Sequence, residues 1–203
     1  MGSATAFTPA KLVIPTLLSA NVHIERVVET LTRELGRLDY RSEEIPFTFT
    51  KYYTPEMGNG IRRVFFSVEE LVDPGRLAEL KLHTDEIEAA FAEGEGGGAG
   101  RRGAGGTTAG GRGAGGTTAG GGRRCVNLDP GLLTLGRLIL ASTKDNAQRI
   151  PLRDGIYAEV TLLYKSGTFE PLRWTYPDYR SEAYHRILAE IRTLYKQQLE
   201  ARG

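Results

Sequence analysis

The sequence predicts an α+β fold: one mixed sheet of about five strands, covered by helices over Val22–Leu35, Gly75–Ala92 and Glu182–Leu199. Three observations carry this expectation. β-branched and leucine-rich runs with strand-like patterning occur early (Lys11–Leu18) and late (Ile156–Tyr164) in the chain. Apolar residues recur at helical spacing in three separate stretches. An Asp154-Gly155 pair between two apolar runs marks a hairpin. The element order suits a ferredoxin-like βαββαβ core with an extra hairpin and a C-terminal helix. All 203 residues are expected to form one domain, interrupted by a disordered glycine-rich insert over residues 94–124.

Lys11–Leu18 is the first strand, and Pro15 requires an edge or a bulge because it cannot donate a ladder hydrogen bond. Asn21 is placed to cap a helix whose apolar stripe is Ile24, Val27, Val28, Leu31 and Leu35, with Gly36 as its stop. Leu38–Pro46 is extended. Phe47–Tyr53 alternates aromatic and polar residues, which suits a packed wall. Thr54-Pro55 starts a helix that Gly58-Asn59-Gly60 ends at once. Arg62 and Arg63 follow this turn and are candidates for holding an anion. Arg63–Phe66 is a short strand. Ser67-Val68-Glu69-Glu70 has the form of a capping box, predicting a helical turn over Val68–Val72. Asp73-Pro74 then opens the helix whose stripe is Leu77, Leu80, Thr84, Ile87 and Phe91. His83-Thr84 lies inside this helical pattern and has no second His-containing strand motif, so two-histidine phosphoesterase chemistry is excluded.

Between Gly94 and Gly122 lie 16 of the chain's 26 glycines, and Arg102–Gly111 repeats unchanged as Arg112–Gly121. Glycine, alanine and threonine bury too little apolar area to offset chain entropy, so a tolerated surface insertion is expected. It is not a phosphate loop of the Walker type, because no lysine occurs between Lys81 and Lys144. Cys125–Asp129 is a strand with Asn127 and Asp129 on one face. Pro130-Gly131 turns the chain, and the leucines of Leu132–Ala141 suggest a helix. Thr143–Arg149 is a polar connector. Ile150–Leu152 and Ile156–Tyr164 form the hairpin, and Lys165-Ser166-Gly167 turns into Thr168–Leu172. After the aromatic segment Trp174–Arg180, Ser181 caps the last helix, with a stripe of Tyr184, Ile187, Leu188, Ile191, Leu194, Tyr195 and Leu199.

Several of these segments together carry a family resemblance. Tyr52-Tyr53, Glu56-Met57-Gly58, Leu71–Pro74, Asn127–Gly131, Ser142–Asp145, Gly155–Thr161, Phe169–Leu172 and Trp174–Arg180 resemble the uncharacterised prokaryotic family catalogued as domain of unknown function 4416. The resemblance covers nearly the whole chain outside the glycine-rich insert. It implies no activity, cofactor or site residue. The family pattern implies a short connection where this chain has its insert.

Function is bounded mainly by exclusion. A net charge of +1 gives no case for nucleic acid or an anionic membrane. One cysteine, Cys125, permits no internal disulfide, and the three histidines have no ligand spacing. A cytoplasmic protein with no membrane span is expected. No catalytic motif is present. The remaining site is a polar cluster. Asn127, Asp129 and Glu159 supply acceptors from strands, while Lys144 and Arg149 supply cations from the connector, with Lys81 as a further cation from a facing helix. Such a set suits a small anionic ligand, phosphorylated or nucleotide-like, bound directly or through a divalent metal ion on Asp129 and Glu159. The same charges could instead pair with one another inside the fold. The alternative is a non-catalytic interaction module, self-associating through the C-terminal aromatic segment and helix.

Overall fold

A computed structural model describes residues 3, 5–95 and 124–202. The first strand, β1 (Ala10–Leu18), is buried along its whole length and lies near the middle of the sheet. Helix α1 (Ile24–Leu35) leads to β2 (Leu38–Arg41) and β3 (Ile45–Pro46), both paired to the long β4 (Arg62–Val72), with the single-turn α2 (Thr54–Met57) between β3 and β4. Helix α3 (Leu77–Glu95) follows. Beyond residue 124 come β5 (Val126–Leu128), β6 (Gly131–Leu133), β7 (Arg137–Ser142), β8 (Ile150–Pro151), β9 (Tyr157–Lys165), β10 (Thr168–Pro171) and helix α4 (Glu182–Glu200). The main path of the sheet is β10-β9-β7-β6-β1-β4-β2, and its pairings are antiparallel.

The α+β class stands, but the sheet differs from the expected one. Among the described residues it has ten strands rather than about five, and it is antiparallel rather than mixed. The largest error is at Leu132–Ala141, which forms the β6–β7 hairpin and not a helix. Leu132 pairs with Ile139 and Leu133 with Leu138 across a turn at Leu135-Gly136. The leucines that suggested a helical stripe instead alternate between the two faces. Val68–Val72 is likewise strand, continuing β4, so Ser67 caps no helix; its hydroxyl donates to Asp39. The residue before α1 is His23, without a side-chain cap bond, rather than Asn21. Helix α3 runs on through Gly94 to Glu95, and Arg124 is fixed in ion pairs, so both ends of the expected insert are structured. The rest of that insert lies outside the described residues.

Period-2 alternation sorts the strands onto two faces. On one face Leu12, Ile14, Val64 and Phe66 pack with Val27 and Leu31 of α1 and with Leu80, Ile87 and Phe91 of α3. On the other, Val13, Phe65, Leu133, Leu138 and Leu162 pack with Tyr184, Ile187, Leu188 and Ile191 of α4. Ser181 caps α4 by accepting from the Tyr184 amide. Each fully buried large apolar side chain here contributes on the order of 2 kcal/mol.

β5 and β6 are two halves of one strand beside β1. Leu17 faces Asn127 and Val13 faces Gly131, and the path breaks at Asp129-Pro130, opposite Pro15. Pro15 has no N–H to offer at that point, so the neighbouring strand loses its regular ladder and is tied back by one bond, Asp129 N–H to Pro15 O at 3.0 Å. Neither the edge nor the bulge expected at Pro15 is found: β1 is a central strand, and the register with β5 and β6 runs on without an extra residue across the break. The break positions the site.

Candidate functional site

The polar residues on the α4 side of the sheet are held by three loops, residues 47–61, 142–150 and 172–181. Arg149 staples the middle loop. Its Nε donates to Glu159 Oε2 at 2.9 Å, and its Nη1 donates to Ser142 Oγ at 2.7 Å and to the Lys144 carbonyl at 2.8 Å. Its Nη2 reaches the Tyr176 hydroxyl in the third loop at 3.4 Å. Gln148 also donates to Glu159 Oε2, at 2.9 Å. Arg149 and Glu159 are almost fully buried, so this is a charge-assisted internal pair that fixes the backbone carrying Lys144. Lys144 Nζ crosses to the first loop, 2.8 Å from the Tyr52 hydroxyl and 4.5 Å from the ring centroid. Tyr52 packs edge-on against Tyr53, centroids 5.1 Å apart, and Tyr53 against Phe47 at 5.9 Å.

Beneath these loops lies Arg63 of β4, 2% exposed. Its Nη1 donates to Asp129 Oδ2 at 3.3 Å and its Nη2 to Asp178 Oδ2 at 3.2 Å. Phe47, Tyr179 and Tyr184 surround the guanidinium, which lies 5.4 Å from the Phe47 ring centroid. Burial opposes the Arg63 charge, but Tyr179, Tyr184, Asp129 and Asp178 together hold its pKa above the ordinary value. Burial raises the Asp178 carboxyl above the usual range, against the pull of Arg63. Burial also pushes the Tyr184 hydroxyl up to about 12 and the Tyr179 hydroxyl well above its ordinary value. Burial and the Asp129 carboxylate raise Tyr53. Among the described residues, the buried Arg63 Nε and Tyr179 hydroxyl have no hydrogen-bond partner.

The five residues expected to form one cluster fall into linked groups. Lys144, Arg149 and Glu159 come together in the middle loop. Asp129 stands beside Arg63, its carboxylate 26% exposed at the break between β5 and β6. Asn127 turns to a third set of charges, where its Oδ1 accepts from Arg124 at 2.5 Å. Arg124 also meets Glu88 at 2.6 Å, and Glu88 accepts from the Leu128 amide at 2.6 Å. Lys81 belongs to that third set, bonded to Asp85 at 2.7 Å and to the Leu128 carbonyl at 3.1 Å. The links between the groups are Lys144–Tyr52–Tyr53 on one side and Arg149–Tyr176, two residues from Asp178, on the other.

Of the anion candidates after the Gly-Asn-Gly turn, Arg62 is held by Glu44 and by the carbonyls of Ser19 and Val22, and Arg63 by its two aspartates. Asp129 and Glu159, considered together as metal ligands, sit in separate ion pairs. Among the described residues no group of three or more His, Cys, Asp or Glu side chains is placed to hold a metal.

Residues 8–99 and 116–195 match the family described as Domain of unknown function (DUF4416). The chain belongs to this family. The match spans β1 to α4 and takes in every residue of the three loops. No curated protein and no solved structure matches the chain. The DUF4416 assignment carries no chemistry, so the reading of the site rests on its geometry. Among the described residues of this DUF4416 chain, no helix is long and apolar enough to cross a membrane.

Asp178 and the tyrosines around it were missed as site residues in the sequence, and Arg63, expected beside Arg62 to hold an anion, is instead bonded to two carboxylates of the chain itself. One signal was available: Arg63 alternates with Phe65 at the head of the run Arg63–Phe66, whose other residues are apolar. A charge on a buried face needs a partner, but the partner lies 115 positions away.

Proposed function

We propose that this DUF4416 chain binds a small phosphorylated, nucleotide-like molecule where loops 47–61, 142–150 and 172–181 meet. The observation that carries the reading is the balance of unused donors there. Arg149 spends its Nε on Glu159, its Nη1 on Ser142 and the Lys144 carbonyl, and its Nη2 on Tyr176. Among the described residues the Lys144 ammonium makes one hydrogen bond, to Tyr52, and retains two N–H donors. The Tyr52 and Tyr176 hydroxyls each accept from a cation, which leaves each with a proton to donate. A rim with one ammonium and two phenol donors suits the oxygens of a phosphate. The Tyr52 and Tyr176 rings, 60% and 51% exposed, offer stacking surface to a planar base.

A thermal-shift titration with ADP, GDP and pyrophosphate tests this. The expected result is stabilisation by at least one of them, reduced about tenfold in apparent affinity by Lys144→Ala, the loss of one charge-assisted bond. Equal responses in wild type and Lys144→Ala, or none in either, would sink the reading.

A second reading, self-association, has one specific observation behind it. Trp174, Tyr176, Ile150 and Leu152 are exposed around the same loops, whereas the stripe of α4 is used against the sheet. Light scattering of wild type and Trp174→Ser separates this from ligand binding. On the fold, the order β6-β1-β4-β2, with α1 and α3 on one face, supports a ferredoxin-like core, to which β7, β9 and β10 add a flank.

A further inference from the structure

Resting on the proposed phosphate site, we infer that Asp129 is the group that reads a hydroxyl of the ligand, so that the site takes a phosphate ester carrying free ring hydroxyls. Around the three loops the buried carboxylates are committed: Glu159 to Arg149 and Gln148, Asp178 to Arg63. Asp129 is different. Arg63 holds only its Oδ2, and its Oδ1 accepts no hydrogen bond among the described residues. The Asp129 side chain, at the break between β5 and β6, is more exposed than either Arg63 or Asp178.

Its orientation is nevertheless fixed. Arg63 is itself locked by Asp178 and by the rings of Phe47, Tyr179 and Tyr184. A charged acceptor held in one position by a buried guanidinium is pre-organised for a donor. The donor cannot be a second anion, which the carboxylate repels, and a hydroxyl fits. The buried Tyr179 hydroxyl and Arg63 Nε, both unpartnered among the described residues, belong to the same group of side chains around the Arg63 guanidinium, which leaves room in the hydrogen-bond count for a further oxygen. Asp129 is connected to the rim through Tyr53, which feels its charge, and Tyr52, which bonds Lys144. One ligand that places a phosphate at Lys144 and a ring hydroxyl at Asp129 uses both ends of this path. Nucleotides and sugar phosphates share that chemistry.

Calorimetric titration of wild type with ADP, with 2′,3′-dideoxyadenosine diphosphate, with ribose 5-phosphate and with pyrophosphate tests the assignment. ADP is expected to bind roughly tenfold more tightly than its dideoxy analogue, and Asp129→Asn is expected to remove most of that difference. Ribose 5-phosphate binding as tightly as ADP supports a sugar phosphate as the natural ligand, and binding by ADP alone supports a nucleotide. Equal affinity for ADP and the dideoxy analogue in wild type overturns the role of Asp129 while leaving the phosphate site standing. Failure of all four ligands overturns both. The wild-type comparison decides the matter even if Asp129→Asn does not fold. Asp178→Asn, which also removes a partner of Arg63, is the control and is expected to keep the preference for hydroxyls.

Discussion

Arg63 is the residue on which the site depends. It is buried with two carboxylates and three aromatic rings, and removing it strands Asp178, whose side chain is 8% exposed. Breaking such a pair from one side costs roughly 3–5 kcal/mol, because a buried charge is left without its counter-charge. Arg63→Ala is expected to lose about that much in urea denaturation. Combining Arg63→Met with Asp178→Asn removes both charges and keeps most of the volume, so the double variant is expected to cost clearly less than the sum of the two single changes. Strict additivity would show that Arg63 and Asp178 are not coupled. The sequence placed Asn127 and Asp129 on one face through simple alternation. It could not show that Arg63 would hold Asp129, since a contact between residues 63 and 129 depends on strand order and not on spacing.

At the level of elements, the β6–β7 hairpin is the clearest disagreement between expectation and structure. Leu132, Leu135, Leu138 and Ile139 fit a helical stripe because leucine is common in both helices and buried strands. The turn at Leu135-Gly136 lacks the Asn-Gly or Asp-Gly pair that made the β8–β9 hairpin readable, where Asp154 and Gly155 both have positive φ. What identifies the hairpin in three dimensions is Gly131. A Cβ there would sit 2.6 Å from Leu140 Cδ2 and 2.7 Å from the Ile139 carbonyl oxygen. The side chain could move, but the backbone oxygen belongs to the neighbouring strand. Gly131→Ala is therefore expected to destabilise by about 1–3 kcal/mol through overpacking. An unchanged denaturation midpoint would mean that β6 and β7 do not approach as closely as described. Helices α1, α3 and α4 were legible to within a few residues, because their stripes are long and their neighbours are sheet faces that need covering.

For the whole molecule, the two sheet faces and their helices bury several tyrosines that titrate late. Of the nine tyrosines, Tyr40, Tyr53, Tyr179, Tyr184 and Tyr195 have pKa values raised, in each case first by burial. A raised value in the folded state means that the folded form keeps the proton. The stability these groups contribute is fully present below the ordinary value of 10.0 and is lost as pH rises through the folded values, about 12 for Tyr184. In an alkaline titration, the tyrosinate absorbance of these residues is expected to appear together with the loss of helical circular dichroism. Full ionisation before any loss of helix would contradict their burial. The α+β class and the covering helices were readable at this scale. The number of strands was not, since two-residue strands such as β3 and β8 exist only by pairing with longer neighbours.

The break at Asp129-Pro130 has a consequence for local opening. Pro15 lacks the amide proton that would complete its pair with Asp129, so the Asp129 amide is the single bond at that point, to the Pro15 carbonyl, while Pro130 lacks its own on the side facing Ala141 of β7. The ladder is thus scored along a line, with β4 and β2 on one side and β7, β9 and β10 on the other. Sub-global unfolding follows such lines of weak cooperativity. Deuterium exchange is expected to divide the sheet into two protection classes that meet at β1. A ligand held between Lys144 and Asp129 would bridge that line and slow exchange in both classes at once.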